Sequence, residues 1–577
     1  MFSTQWPLSK ASIAKRGYSF FIEINMKNHF TILNIFLLIA VIMCCVSCAK
    51  KKPAKESVLL FGSSGDAATL DPGDASDGET IQRLDNIFEG LVQFKPGTVE
   101  IEPCLATSWE ITEDGKEVIF NLRKGVKFHD GTDFNADAVL FSLSRMYDTS
   151  HAFNKYGKWF YWDWSFGDVE KVEKIDDYTV KFILKNVNAS ILISLVMNTA
   201  HIVSPKNHEV YKEKAFEHPC GTGPFCFVEW VREDHITLKK NEEYWGEKAK
   251  IDKLIFKVIP DGEARLQALE ANEIQGMEYP DPEDFDRIRN NPDLKLMQEP
   301  GMNVGYMAIN SGYGYVDKNK NGIRDDDEEW VKTPGYFEPL TKKNVRKAIQ
   351  HAIDKQAIVD NIYAGTAIKA TNGMPPFLLG YNDEIEDYEY NPEKAKELLK
   401  EAGYPDGFEV TLHVMPVSRP YMFDPPKIGE AIKEYLAVVG ITVKLYQTEW
   451  SDYLKECRDG KPQMCLLGWT GDNGDTDNFL NSLYGANKCA LGTVGNYGFY
   501  NDMEAQELLT KALRTYDMGE RWDLYSKFQE MIHEHASYVF LAHSVQSIAF
   551  RKEVDGFVIS PTSRKFFNTV EINEVQQ

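Results

Sequence analysis

One arginine and one short acidic loop carry the clearest chemistry in this sequence. Ser418-Arg419-Pro420-Tyr421 follows one alternating apolar segment, and Gly471-Asp472-Asn473-Gly474-Asp475 follows another. A guanidinium forks onto a carboxylate through two parallel hydrogen bonds, and a carboxylate accepts from an ammonium group. Arg419 and Asp472 together could therefore hold a molecule charged oppositely at its two ends. Taken singly, each has a plainer use, as a solvated surface arginine and an aspartate capping a turn. Tyr306, Tyr421 and Trp469 could supply apolar walls with polar tips, or could equally be core.

A second constellation runs from Asp317 to Glu328. Asp317, Asn319, Asn321, Asp325 and Glu328 stand at positions 1, 3, 5, 9 and 12 of a twelve-residue loop, with Gly322 at position 6. This is the EF-hand spacing, in which the glycine permits a sharp turn and the final glutamate binds through both oxygens. With the Ile323 carbonyl, these residues are the expected ligands of one structural calcium ion. Arg324 departs from the pattern, which usually has an apolar residue there, and no clear helix precedes the loop. The alternative is a charged hydrophilic insertion.

Catalytic patterns are absent from the sequence: there is no GxSxG, HExxH or GxxxxGK[ST]. His533-Glu534-His535 superficially looks like a zinc pair, but residues i and i+2 of a helix do not face one side. A solvated helix end is expected there. No enzyme is expected, and no cofactor beyond the calcium.

The elements that must position Arg419 and Asp472 read clearly. Phe408, Val410, Leu412 and Val414 alternate as a strand; Ile428, Ala431, Ile432, Tyr435 and Leu436 then share one helix face. Ile441, Val443 and Leu445 make a second strand, Ser451–Arg458 a short helix, and Met464–Trp469 a third strand. Strand, helix, strand, helix, strand implies parallel pairing, and ligands bind beyond the carboxyl ends of such strands. Both charged segments sit at those ends. Upstream, strands dominate 80–260, with hairpins around Asp114-Gly115 and Asp176-Asp177 and helices at 136–147 and 261–272.

With 577 residues, 43% of them hydrophobic, the chain can bury more than one core. Its net charge of −23 argues against nucleic acid, whose binding needs a basic footprint. Lys27 precedes an apolar run from Phe30 to Val46 that ends in Ser47-Cys48, which describes an export signal. Residues 1–47 are read as that segment, with Met26 the expected true start, and 48–55 as a polar tether. Val46-Ser47-Cys48 resembles a lipobox, with Cys48 taking the lipid and Cys45 where leucine is usual; the competing reading is a transmembrane anchor. Removing residues 1–47 takes four basic residues and one acidic one, so −23 becomes −26. The six later cysteines, at 104, 220, 226, 457, 465 and 489, show neither a disulfide framework nor zinc spacing.

Several motifs carry a resemblance. Leu105-Ala106-Thr107-Ser108-Trp109-Glu110, Leu122-Arg123-Lys124-Gly125-Val126-Lys127-Phe128-His129-Asp130-Gly131, Gly221-Thr222-Gly223-Pro224-Phe225 and Tyr244-Trp245-Gly246 resemble extracellular solute-binding proteins of the peptide/nickel ABC importer family. Within it, Pro300–Tyr306, Met415–Tyr421 and Gly468–Asp475 are similar to the dipeptide-binding members. There the arginine of Arg-Pro-Tyr holds the peptide carboxylate and the first aspartate of Gly-Asp-Asn-Gly-Asp the amino terminus. The resemblance assigns these roles to Arg419 and Asp472. Thr476, where proline is common, and Met422-Phe423, where polar residues are common, depart from the pattern and could reshape the side-chain pocket.

The resemblance implies an α/β, bilobed, type II periplasmic-binding-protein-like fold with an additional domain. Lobe I would take 56–77, 206–300 and 535–577, the additional domain 78–205, and lobe II 301–534 with the calcium insertion at 311–337. It implies a monomeric, lipid-anchored protein facing the periplasm or the cell exterior, which captures short peptides and passes them to a permease with ATPase subunits. Haem, nickel or longer oligopeptides are the alternative ligands in the same fold, and a secreted peptidase is the remoter one.

Overall fold

Residues 56–320, 322–493 and 495–573 are described by the structure, a computed structural model; the export segment, the tether and Cys48 lie outside them. Strand β1 (Val58–Ser63) leads through a loop to helix α1 (Gly78–Leu84), capped by Asp77, whose carboxylate accepts from the Thr80 amide at 2.9 Å. A small domain follows. In it β2 (Val92–Phe94) pairs with β3 (Ile101–Pro103). Strands β4 (Ala106–Ile111), β5 (Glu117–Leu122), β6 (Val169–Asp176) and β7 (Thr179–Leu184) form an antiparallel sheet in the order β4-β5-β7-β6. Alternation gives this sheet its buried face: Val118 and Phe120 of β5 stand opposite Phe182 and Val180 of β7. Helices α2 (Ala136–Tyr147) and α3 (Phe160–Phe166) cover it.

The chain then returns to the first lobe with β8 (Phe225–Val231), β9 (His235–Lys240), β10 (Lys253–Val258), α4 (Gly262–Glu270), β11 (Gly276–Glu278) and β12 (Leu294–Pro300). The second lobe begins with β13 (Asn303–Ile309). A two-stranded pair, β14 (Tyr313–Gly314) and β15 (Val331–Lys332), closes the base of the insertion. Helix α5 (Lys343–Ala352), β16 (Ala367–Lys369) and α6 (Pro392–Glu401) precede the alternating segment. That segment is β17 (Phe408–His413), α7 (Pro425–Val438), β18 (Ile441–Tyr446), α8 (Trp450–Arg458) and β19 (Met464–Thr470). Strand β17 pairs in parallel with both β18 and β19, as the alternation of strands and helices requires. Helices α9 (Asp477–Tyr484) and α10 (Met518–His535) lead into β20 (Tyr538–Arg551).

Strand β20, fourteen residues long, belongs to both lobes. Its first part pairs with β13 and β16, and its second with β11 and β12. Where it passes between lobes it is tied to the other crossing: the Gly301 amide donates to the Ser544 carbonyl at 3.0 Å, and the Ser544 amide to Asn303 Oδ1 at 2.8 Å.

The packed cores shift two expected boundaries. Leu84, Ile87 and Phe88 pack with β1 and β10, so the additional domain begins near Leu91 rather than at residue 78. Tyr538 to Ala542 pack in the second lobe, so the first lobe resumes inside β20 rather than at residue 535. In β20 the change of lobe falls inside an element, where no turn signal marks it; near Leu91 it falls in the loop between α1 and β2, a few residues beyond the helix. Among the described residues no helix is long and apolar enough to cross a membrane.

Candidate functional site

After β17 the chain folds back in a tight turn. The Arg419 amide donates to the Met422 carbonyl at 2.9 Å, and the Met422 amide donates to the Arg419 carbonyl at 2.8 Å. The Arg419 guanidinium lies over the Trp450 indole at the start of α8, 4.6 Å from the ring centroid. Among the described residues it forms no ion pair.

Asp472 stands just beyond the end of β19. Its amide donates to Asn478 Oδ1 at 2.9 Å, while Asn478 Nδ2 and the Tyr161 hydroxyl donate to its carboxylate, each at 3.3 Å. All these partners are neutral. Burial pushes the carboxyl up to about 6, against the hydrogen bonds from Asn478 and Tyr161, which favour the charged form.

Arg419 and Asp472 both line a cavity of about 700 Å³. The second lobe contributes Ser418–Pro420, Phe423 and Thr470–Asp472; the additional domain contributes Tyr161, Met197 and Asn198. The first lobe supplies the start of α1, the start of α4, the turn Tyr279–Pro282 and the segment Thr562–Arg564. The cleft thus lies at the carboxyl ends of parallel strands, and all three parts of the chain wall it.

The expected aromatic walls are elsewhere. Tyr306 is fully buried in the second lobe, its ring edge-on to Tyr538 at 5.2 Å and its hydroxyl without a hydrogen-bond partner among the described residues. It is core, because β13 is covered on both faces and its whole length is buried. Tyr421 packs over Gly468, where any Cβ would strike the ring. Trp469 is half-buried and donates through Nε1 to Asn478 Oδ1 at 3.3 Å, which places it behind Asp472 as a support. Tyr161, Tyr279 and Phe423 wall the cleft in their place. Of the departures from the family pattern, Phe423 reaches the cleft, while Met422 is buried and Thr476 donates to the Leu379 carbonyl. The Tyr279-Pro280-Asp281-Pro282 turn at the end of β11 was a readable signal; nothing local marks Tyr161.

The histidines His533 and His535 are not a solvated helix end. His533 stacks on Tyr388 at 4.5 Å, and His535 Nε2 accepts from Arg346 at 2.9 Å. Burial holds them down to about 4 and about 3, so both are neutral at pH 7.

In the 317–328 loop, the buried Glu328 carboxylate accepts from the Lys318 amide at 2.6 Å and the Asp325 amide at 3.1 Å. Asp317 accepts from the Gly322 amide at 2.9 Å, and Asn319 Nδ2 donates to Asp325 at 2.8 Å. Asn321 lies outside the described residues, and the Ile323 side chain is exposed. Among the described residues no group of three or more His, Cys, Asp or Glu converges to hold a metal ion. The Glu328 and Asp317 carboxylates are turned to backbone amides of the loop, and Asp325 to the Asn319 side chain.

The sequence and fold have close counterparts. The dipeptide-binding protein of Escherichia coli (strain K12) is 37% identical over 532 residues, 89% of this chain and 94% of its own. Heme-binding protein A of Haemophilus influenzae is 35% identical over 84% of this chain and 87% of its own. The solved structure of the ABC transporter-associated periplasmic binding protein DppA from Helicobacter pylori, in complex with peptide STSA, is 34% identical. It superposes with a TM-score of 0.72, covering 90% of this chain and 98% of that one. The family model for bacterial extracellular solute-binding proteins, family 5 Middle, matches residues 100–489. On a match of that length, the chain belongs to the bacterial extracellular solute-binding proteins of family 5.

Proposed function

We propose that this chain is the binding component of an ABC importer that captures short peptides, dipeptides above all, by their two termini. One observation carries the reading. The cleft presents one guanidinium and one carboxylate, Arg419 and Asp472, and neither has a counter-ion among the described residues. A charge taken from water without a partner is costly, and a peptide with free termini supplies both partners at once. The dipeptide-binding relative and the peptide-bound neighbour support the same ligand class. A dipeptide amidated at its carboxyl end should bind at least tenfold more weakly than the free dipeptide, as should one acetylated at its amino end. Equal binding of free and amidated forms would remove Arg419 from the carboxylate.

The haem-binding relative gives the second reading. Among the described residues no histidine or cysteine lines the cleft, so Tyr161, Tyr279 or Met197 would have to ligate the iron. A haem titration followed by absorbance separates the two, since a dipeptide ligand leaves haem unbound.

The chain works outside the cytoplasm as a monomer held by lipid on Cys48, and hands its ligand to a permease driven by ATPase subunits. The Val46-Ser47-Cys48 box supports the anchor. A Cys48→Ser protein should lose lipid labelling and leave the membrane fraction. The 317–328 loop takes one structural calcium ion when Glu328 exchanges its two backbone amides for the metal; its full burial, with no ion-pair partner among the described residues, supports this.

A further inference from the structure

The charged groups that line the cleft divide by their partners. Arg265 donates to the carbonyls of Ile259 at 2.7 Å and Pro260 at 2.8 Å, and Arg564 is paired with Asp85. Glu79 is paired with Arg83 at 2.7 Å, and Asp77 caps α1. Three groups are left: Arg419, Asp472 and Asp281. The first two are matched by the termini of a peptide. Asp281 remains, and its carboxylate has no hydrogen bond or ion pair among the described residues.

The surroundings of Asp281 suit a cation on a long apolar stem. Asp281 stands exposed on the cleft. Partial desolvation and the carboxylates of Asp284, Asp261 and Glu283 raise its affinity for a proton, against the Arg265 guanidinium, whose own donors are taken up by the Ile259 and Pro260 carbonyls. Lys427, which acts on Glu283, is itself held by Asp424 at 3.0 Å. Two residues before Asp281, Tyr279 leaves 37% of its surface exposed on the cleft wall. Ile81 and Phe423 add aliphatic and aromatic surface to the same cavity. An aliphatic stem can lie along such walls while its charged head finds a carboxylate.

We propose that the cleft selects peptides bearing one basic side chain, with Asp281 taking the cationic head and Tyr279 flanking its stem. The proposal rests on the peptide reading above and narrows it to lysine- or arginine-containing dipeptides. No covalent step is involved. The selectivity is a difference between ligands that share the same termini, so it can fail while the terminal clamp stands.

Calorimetry on ligand-stripped protein with Ala-Lys, Lys-Ala, Ala-Ala and Ala-Glu tests it. At least one basic dipeptide should bind about tenfold more tightly than Ala-Ala, between what exposed and fully desolvated ion pairs supply, and Ala-Glu should bind least. In Asp281→Asn the ratio of basic to neutral affinity should fall to within about twofold. Asp281→Lys should bring Ala-Glu above Ala-Lys, a reversal that loss of folding cannot produce. Equal binding of Ala-Ala and both basic dipeptides by the wild type would overturn the inference and leave the peptide reading intact. So would a basic preference that survives Asp281→Asn. Absence of binding by all four dipeptides would overturn both.

Discussion

Nη2 of Arg521 donates to both carboxylate oxygens of Asp475, at 2.9 and 3.0 Å, with both side chains almost fully buried. Asp475 and Asp472 belong to one Gly-Asp-Asn-Gly-Asp run, yet they meet opposite fates. Asp475 is neutralised inside the protein and holds the loop; Asp472 keeps only neutral partners and faces the cleft.

Stability should separate the two aspartates. Arg521→Ala leaves Asp475 buried without its cation and should cost about 3–5 kcal/mol. Asp472→Asn removes a carboxylate that burial disfavours, and should leave the unfolding midpoint in urea unchanged or slightly raised. Urea unfolding of both variants checks this; an Arg521→Ala protein as stable as the wild type would contradict the pairing.

Affinity should separate them in the opposite sense. Arg419→Ala or Asp472→Ala should each weaken dipeptide binding by about 2–5 kcal/mol, the cost of leaving a ligand charge desolvated and unmatched. That is roughly 30-fold to several-thousand-fold in Kd. The amidated dipeptide should lose little more on Arg419→Ala, because its partner charge is already gone.

Binding should also depend on acid. With its carboxyl lifted to about 6, Asp472 loses its charge as pH falls through that value, and with it the ammonium partner. A dipeptide keeps both terminal charges between pH 5 and 7. Affinity should therefore drop about tenfold from pH 7 to pH 5. Glu79, on the first-lobe wall of the cleft, is raised by burial and by Glu278 and titrates as well. Comparing pH profiles of wild type and Asp472→Asn isolates the Asp472 share; a wild-type affinity that did not fall at pH 5 would remove Asp472 from the clamp.

Calcium binding at 317–328 predicts a calorimetric signal on adding the ion to chelator-treated protein, at a Kd of roughly 10⁻⁴–10⁻³ M. Glu328→Ala should abolish it. A flat titration of the wild type would leave the loop as a charged excursion.

Strands β17 and β18 and helix α7 of the second lobe were legible because each is covered on one side, and β19 because its apolar run is continuous. Phe408, Val410 and Leu412 alternate, and Ile428, Ile432 and Leu436 share a helix face. The same segments delivered Arg419 and Asp472 to one edge. Tyr306 could not be read this way: β13 is buried along its whole length, so nothing in Asn303–Ile309 distinguishes a cleft face from a core face. Tyr161 and Tyr279 come from other parts of the chain, and only the packing of three bodies brings them to the cleft. His535 was misread as exposed because its partner, Arg346, lies 189 residues away in sequence.

Strand β20 has a thermodynamic consequence. Because one continuous strand completes the sheets of both lobes, melting either lobe would strip ladder partners from the other. The second crossing, bonded to it at Gly301 and Asn303, binds the same point again. The lobes therefore lack the independence that their separate cores suggest, and heat should take them apart in a single calorimetric transition rather than one after the other.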